Sequence, residues 1–370
     1  MFVPYNYLPY EFKNPSKIIT EWKKLIKTSE FTLGTYVEKF EKTFSKYIGV
    51  KYCISTNNGT DALILCLKSL GVGRGDEVIT ATNSFYATAG AISAVGALPI
   101  LCDVDSRYQI DPKKIKKLIN KKTKVIMPVH WGGASPEMDQ IIKLAKKFKI
   151  HIVEDACMGI GAKINRKSPG TFGIVNAFSM HPLKSLNVMG DGGAVVTNNK
   201  KIFNWLQKYR NHGMINRDKI SFWGVNNRIQ PLQAIVALDG LRKLDNNLSK
   251  RKKNADYLDK NLKNLDGLIK IPKRFKNYKE TYALYMLLCK KRDKLKKYLE
   301  KSGIETKIHY PIPLHKQMPY KKNNKKLLNL KISEIQAKEL LTLPVHQYLN
   351  KNQLNFMIKK IRNFYKNNGS

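Results

Sequence analysis

From Lys51 to Thr197 the chain alternates between short, largely apolar runs rich in β-formers and longer stretches with helical spacing. The runs are KYCIST (51–56), DEVIT (76–80), PILCDV (99–104), KVIMPV (124–129), IHIVED (150–155), VNAFSM (175–180) and GAVVTN (193–198). Between them lie TDALILCLKSLG, the segment from Phe85 to Gly96, PKKIKKLIN and PEMDQIIKLAKKFK. Strands without a polar face are covered on both sides. The pattern therefore predicts an α/β fold with a mostly parallel sheet flanked by helices. Such sheets take ligands at the carboxyl ends of their strands, beside helix N-termini. The glycines of GVGRGD (71–76) follow a helix rather than a strand, which makes them a C-cap and turn, not a dinucleotide loop.

Beyond about Arg228 the rhythm changes. IQPLQAIVALDGLRKLDNNLSKRKKNADYLDKNL reads as one long helix, leading into isolated strands and helices up to Ser370. This places a boundary near residue 245, with a large domain over 1–245 (including the N-terminal segment) and a smaller α+β domain over 246–370. The tail YKNNGS is expected to fray.

Composition narrows the class. With 42% hydrophobic and 26% charged residues, the 370-residue chain is globular in type. No apolar stretch reaches the roughly 18 residues that span a bilayer. The opening MFVPYNYLPYEFKN has no basic stretch followed by an apolar one, so a cytoplasmic protein with no membrane partner is expected. Cys53, Cys66, Cys102, Cys157 and Cys289 form no CxxC pair and read as buried reduced thiols, and the seven histidines show no metal-ligand spacing. No metal is expected. The net charge of +39 fits either a nucleic-acid surface or a solvated basic one. Because the lysines are spread over helical segments with few aromatics among them, the solvated surface is the expectation. Nucleic acid is not an expected partner.

Three strand ends carry candidate chemistry. IHIVED finishes on Glu154 and Asp155, a carboxylate for a buried ligand or a cap for the segment that follows. NNGTDAL opens a helix with Gly59, Thr60 and Asp61, whose free N–H groups would face a phosphate; the same residues serve an ordinary cap. NAFSMHPLKSLNVMGDGG sets Ser179 at a strand end, then Lys184, then a glycine-rich hairpin, and a lysine there is either catalytic or a surface residue. The order of these signals is what pyridoxal 5'-phosphate (PLP) requires: donors for its phosphate, the aromatic Phe85 for its ring, Asp155 for its pyridine nitrogen and Lys184 for its aldehyde.

With these residues in this order, the chain resembles the DegT/DnrJ/EryC1/StrS sugar aminotransferases, which have the PLP-dependent transferase fold type I. The resemblance runs from about Leu33 to Leu349 through GTYVEKFE, NNGTDAL, PVHWGG, VEDACMGIGA, FSMHPLKSLNVMGDGGAVVTN, GVNNRIQPLQAIVALDGLRKLD and GIETKIHYPIPLHKQ, among others. It implies that Lys184 forms the Schiff base, Asp155 pairs with the pyridine nitrogen and Phe85 stacks on the ring, while Gly59, Thr60 and Ser179 hold the phosphate. It also implies that the GVNNR loop crosses a homodimer interface, bringing Asn226 to the neighbouring cofactor with Arg228 close by. The substrate pocket would draw on His130, Trp131, His181, His309 and Tyr310. The implied reaction moves an amino group from glutamate to a nucleotide-linked keto sugar, with pyridoxamine phosphate as the intermediate, as in the synthesis of cell-surface amino sugars.

The chain departs from the family at Met158, where the family usually has a Gln whose amide reaches the ring hydroxyl, and at Ile160, where many members have His. The GDGG form of the hairpin (190–193) resembles enzymes that aminate carbon 3 more than the GEGG form common at carbon 4. Two rivals remain on the sequence alone: a PLP-dependent dehydratase or epimerase acting on a sugar nucleotide, and a non-catalytic basic sensor or nucleic-acid-binding protein. Retention of Lys184, which related dehydratases replace with histidine, favours the aminotransferase.

Overall fold

The computed structural model describes residues 1–323 and 328–368. The apolar runs are strands where the pattern puts them: β1 (Tyr52–Thr56), β2 (Glu77–Ala81), β3 (Leu98–Cys102), β4 (Thr123–Met127), β5 (His151–Asp155), a short β6 (Lys163–Ile164), β7 (Val175–Ser179) and β8 (Gly193–Thr197). All but β6 form one sheet in the order β1-β8-β7-β5-β4-β2-β3. Its pairings are parallel except at β8, which runs antiparallel to both neighbours. That reversal follows from the 180–192 connection, which turns the chain straight back so that Ser179 faces Gly193. A hairpin can join only antiparallel strands.

One face of the sheet is covered by helices Gly59–Ser69, Tyr86–Ala94 and Lys200–Tyr209, which share a core with Val78, Val125, Val153 and Val195. The other face meets helix Thr35–Ile48 and the first half of helix Pro231–Leu262 around Phe40, Phe44 and Phe178. PKKIKKLIN is helical only over Pro112–Ile115; beyond it Leu118 and Ile119 pack in a turn against the sheet edge. Residues 71–76 form the expected turn, with Gly71 at φ 69° and Gly75 at φ 92°.

Helix Pro231–Leu262 has 32 residues and passes straight through residue 245. Gln230 and Gln233 cap its start reciprocally. Ala234, Ala237, Leu244 and Leu248 pack with the sheet core. Ala255, Leu258 and Leu262 pack in a second core, around an antiparallel sheet of Ile269–Lys270, Tyr285–Cys289 and Leu340–Leu343 and helices Arg292–Lys301 and Lys351–Asn368. The N-terminal arm, assigned from sequence to the first domain, crosses to this second core: Val3 is fully buried in it and its N–H donates to the Gly303 carbonyl (2.9 Å). The tail is anchored further than the sequence implies, since Tyr365 is buried and its hydroxyl donates to the Lys290 carbonyl. Its last two residues, 369–370, lie outside the described residues.

Candidate active site

The carboxyl ends of β1, β2, β5 and β7 open into a cavity of about 260 Å³ that the second core closes from the opposite side. Lys184, Asp155, Phe85, Gly59, Thr60 and Ser179 all line it. Here the sequence signals converge.

After β1 the chain is extended at Asn58 (φ −162°, ψ 172°) and turns into helix Gly59–Ser69. The Asn58 carboxamide oxygen accepts the Asp61 N–H (2.8 Å), and its amide nitrogen donates to the Asp61 carboxylate (2.9 Å). Asp61 is therefore spent on the cap and does not line the cavity. This corrects the expectation of an Asp61 phosphate donor, because the cap consumes the N–H that was to point outward. Gly59 and Thr60, in the first turn, have no intrahelical acceptor for their N–H groups, and the helix dipole adds partial positive charge. Gly59 also fixes the width of the cradle. A Cβ added there would lie 2.6 Å from the Cβ of Ser179, so any other residue pushes the helix off β7.

Asp155, at the end of β5, is 4% exposed and held at both oxygens. Oδ2 accepts the Thr88 hydroxyl (2.7 Å) and Oδ1 the Cys157 N–H (3.2 Å). Ser84 and Thr88 share a further hydrogen bond (2.6 Å), which ties the carboxylate to the loop carrying Phe85. Lys184 sits on the irregular 180–192 connection. Its N–H donates to the His181 carbonyl (2.8 Å), and its own carbonyl accepts the Tyr7 hydroxyl (2.8 Å). Burial pushes the Lys184 amine below the ordinary lysine range, a shift that Cys157 and Asp155 partly oppose. Burial likewise raises the Cys157 thiol well above its usual range.

Of the residues assigned to substrate, Trp131, His181, His309 and Tyr310 line the cavity. Tyr310 joins an aromatic cluster, its ring centroid 5.9 Å from Phe85, 5.4 Å from Tyr86 and 5.6 Å from Trp131. His309 stacks with Tyr5 and shares a hydrogen bond with Thr342 (3.0 Å). His130 does not reach the cavity. It is fully buried behind it, Nε2 2.8 Å from Glu154 Oε2 and Nδ1 2.9 Å from Ser135 Oγ. Glu154 also accepts the N–H groups of Gly170, Phe172 and Gly173, so this pair pins the loop between β6 and β7 instead of meeting substrate.

Asn226 and Arg228 lie outside this chain's own cavity. Arg228 Nε donates to the Asn226 carboxamide (2.9 Å) and Nη1 to Asn211 (2.8 Å), in a loop whose Trp223 is 87% exposed. Met158 lines the cavity where the resemblance expects Gln, and its thioether offers no donor. Tyr5, Tyr7, Thr88, Arg251 and His346 also line the cavity and were not singled out in the sequence. The signal for Tyr5 and Tyr7 was the aromatic start, PYNYLPYEF, before the first helical pattern. Arg251 is hidden in the basic run SKRKKN and carries no signal of its own.

These residues fit PLP: an anion cradle that a Cβ would fill, an aromatic wall, a doubly anchored carboxylate and a half-buried lysine in one cavity. With the sheet order, they define a fold-type-I PLP-dependent enzyme. The sequence profile of the DegT/DnrJ/EryC1/StrS aminotransferase family matches residues 14–362, and the chain belongs to that family. The chain is 34% identical to the Geobacillus stearothermophilus "Pleiotropic regulatory protein", over 96% of both chains. It is 35% identical to the Aneurinibacillus thermoaerophilus dTDP-3-amino-3,6-dideoxy-alpha-D-galactopyranose transaminase, over 92% of this chain and 93% of that protein. The crystal structure of S. venezuelae DesV in complex with a ketimine intermediate superposes with a TM-score of 0.95 at 31% identity, over 98% of both chains. No helix among the described residues is long and apolar enough to cross a membrane.

Proposed function

We propose that this aminotransferase moves an amino group from glutamate to carbon 3 of a nucleotide-linked keto sugar, in the cytoplasm and as a homodimer. The observation that carries the reading is the opening of Lys184 and Asp155 into one cavity, beside the unpartnered first turn of helix Gly59–Ser69. The transaminase relative named for a 3-amino sugar and the GDGG hairpin support carbon 3. The exposed 211–228 loop, with Trp223 at its surface, supports a second subunit packing there and bringing its Asn226 to the phosphate.

When bound, PLP supplies an electrophilic aldehyde and an electron-withdrawing ring that stabilises negative charge at the reacting carbon. Gly59, Thr60 and Ser179 would hold the phosphate, and Phe85 would stack on the ring. The Asp155 carboxylate, aligned by Thr88 and Cys157, would hold the proton of the ring nitrogen. Lys184 Nζ would hold the cofactor's aldehyde and, when free, would carry the proton to and from the reacting carbon. Its lowered basicity leaves more of it unprotonated at neutral pH than an exposed lysine would be. Met158 leaves the ring hydroxyl without the amide its relatives provide.

The test is direct. Purified protein should show the absorbance band of bound PLP, Lys184→Ala should abolish it, and glutamate alone should convert it to the pyridoxamine form. A protein that PLP cannot reconstitute would sink the reading. A band that glutamate leaves unchanged would point to dehydration or another donor. Assays with UDP-, dTDP- and GDP-linked 3-keto and 4-keto sugars then decide the acceptor.

A further inference from the structure

Arg251 is the cavity's unexplained charge. It lies on helix Pro231–Leu262 after Leu248, where the helix leaves the sheet core, and it is 3% exposed. Its guanidinium carbon stands 4.8 Å from the Tyr7 ring centroid. Nε donates to the Gln347 carboxamide oxygen (2.8 Å), a neutral partner, and Nη2 has no hydrogen-bond partner among the described residues. A buried guanidinium without an anion carries the desolvation cost of a charge with no compensating ion pair. The wall it occupies faces the cavity that holds Lys184.

The other basic groups on that wall cannot take its place. Burial holds both His309 and His346 down to about 4, and burial lowers His181 as well, so all three are neutral at neutral pH. Lys184 is committed to the cofactor. Tyr7 ties Arg251 to the Lys184 segment: its ring lies against the guanidinium and its hydroxyl donates to the Lys184 backbone carbonyl. A small acid reacting at Lys184 would thus share its cavity with Arg251, a guanidinium that no anion pairs among the described residues. We propose that Arg251 binds the α-carboxylate of the amino donor, its forked N–H groups matching the planar anion while Tyr7 and Gln347 fix its plane.

The inference rests on the aminotransferase reading, and PLP absorbance tests that reading separately. The experiment uses PLP-loaded wild type, Arg251→Gln and Arg251→Lys, each checked for folding by thermal unfolding. Four constants are measured: the apparent dissociation constants of glutamate and of glutamine from their conversion of the cofactor band without acceptor, that of glutarate by calorimetry, and that of UDP or dTDP by calorimetry. Losing a charge-assisted pair should weaken glutamate and glutarate on the order of 30- to 100-fold in Arg251→Gln, and less in Arg251→Lys. Nucleotide binding should stay within about twofold. Glutamine, which keeps only the α-carboxylate, should lose as much as glutamate.

Three results would overturn the assignment: nucleotide weakening with glutamate unaffected, glutamine unaffected while glutamate weakens, or no glutarate binding to wild type. If Arg251→Gln fails to fold, the lysine variant and wild-type glutarate binding still decide it.

Discussion

Replacing Gly59 with alanine tests the phosphate cradle with a single methyl group. The added carbon would lie 2.6 Å from Ser179 Cβ, 3.0 Å from its Oγ and 3.2 Å from its Cα. Apolar carbons rest at about 3.5–4.0 Å, so helix and strand must separate by about 1 Å at the point where both supply phosphate donors. Overpacking of this kind costs typically 1–3 kcal/mol, and misplaced phosphate donors add to it. PLP affinity should therefore fall about 10- to 100-fold, since each 1.4 kcal/mol is a factor of ten. The assay is titration of apo-protein with PLP, followed by absorbance, in parallel with pyridoxal. Pyridoxal lacks the phosphate and should lose much less. Ser179→Gly removes the opposing Cβ, so the double variant should bind PLP better than the sum of the two single losses implies. PLP affinity within twofold of wild type in Gly59→Ala would refute the close approach and the cradle built on it.

Other expectations follow from particular contacts. Glu154→Gln turns an amide NH₂ either toward the N–H groups of Phe172 and Gly173 or toward the Gly170 N–H and His130, so it should destabilise the fold by about 2–4 kcal/mol in denaturant unfolding; an unchanged midpoint would contradict the buried network. His309 and His346 have folded values near 4, below their unfolded ones, so the unfolded chain binds more protons between about pH 6.5 and 4. Stability should be flat above that window and decline through it, by on the order of 3 kcal/mol per histidine at its lower end. His346→Gln should flatten the decline, and an unaltered acid limb in urea titrations would show the reasoning wrong. Mixing Lys184→Ala subunits with Asn226→Asp subunits should restore part of the activity if the 211–228 loop completes a neighbour's site. Heterodimers that form without rescue would argue for self-contained sites.

The sheet was legible because its strands are buried on both faces, and continuous apolar runs such as KVIMPV leave little choice of element. Lys184, Asp155, Phe85, Gly59 and Ser179 were legible as an ordered set and reach one cavity because each follows a strand's carboxyl end. Asp61 was misjudged because a sequence shows that a helix starts but not which N–H its cap consumes. A histidine beside Trp131 at a strand end looks like a site residue; only pairing across the sheet shows that Glu154, from β5, claims His130. Arg251 was illegible for the opposite reason. Among the lysines of its helix nothing marks the one cation that turns inward, and only the arrival of Tyr7 from the N-terminus and Gln347 from the far end of the chain encloses it.

The unbroken helix from Pro231 to Leu262 makes angular phase a constraint on this protein's evolution. Each residue advances the helix by about 100°, so inserting or deleting a single one between its sheet-bound start and Arg251 would swing that guanidinium off Tyr7 and rotate Ala255, Leu258 and Leu262 out of the second core together. Length changes there should survive only as near-multiples of whole turns.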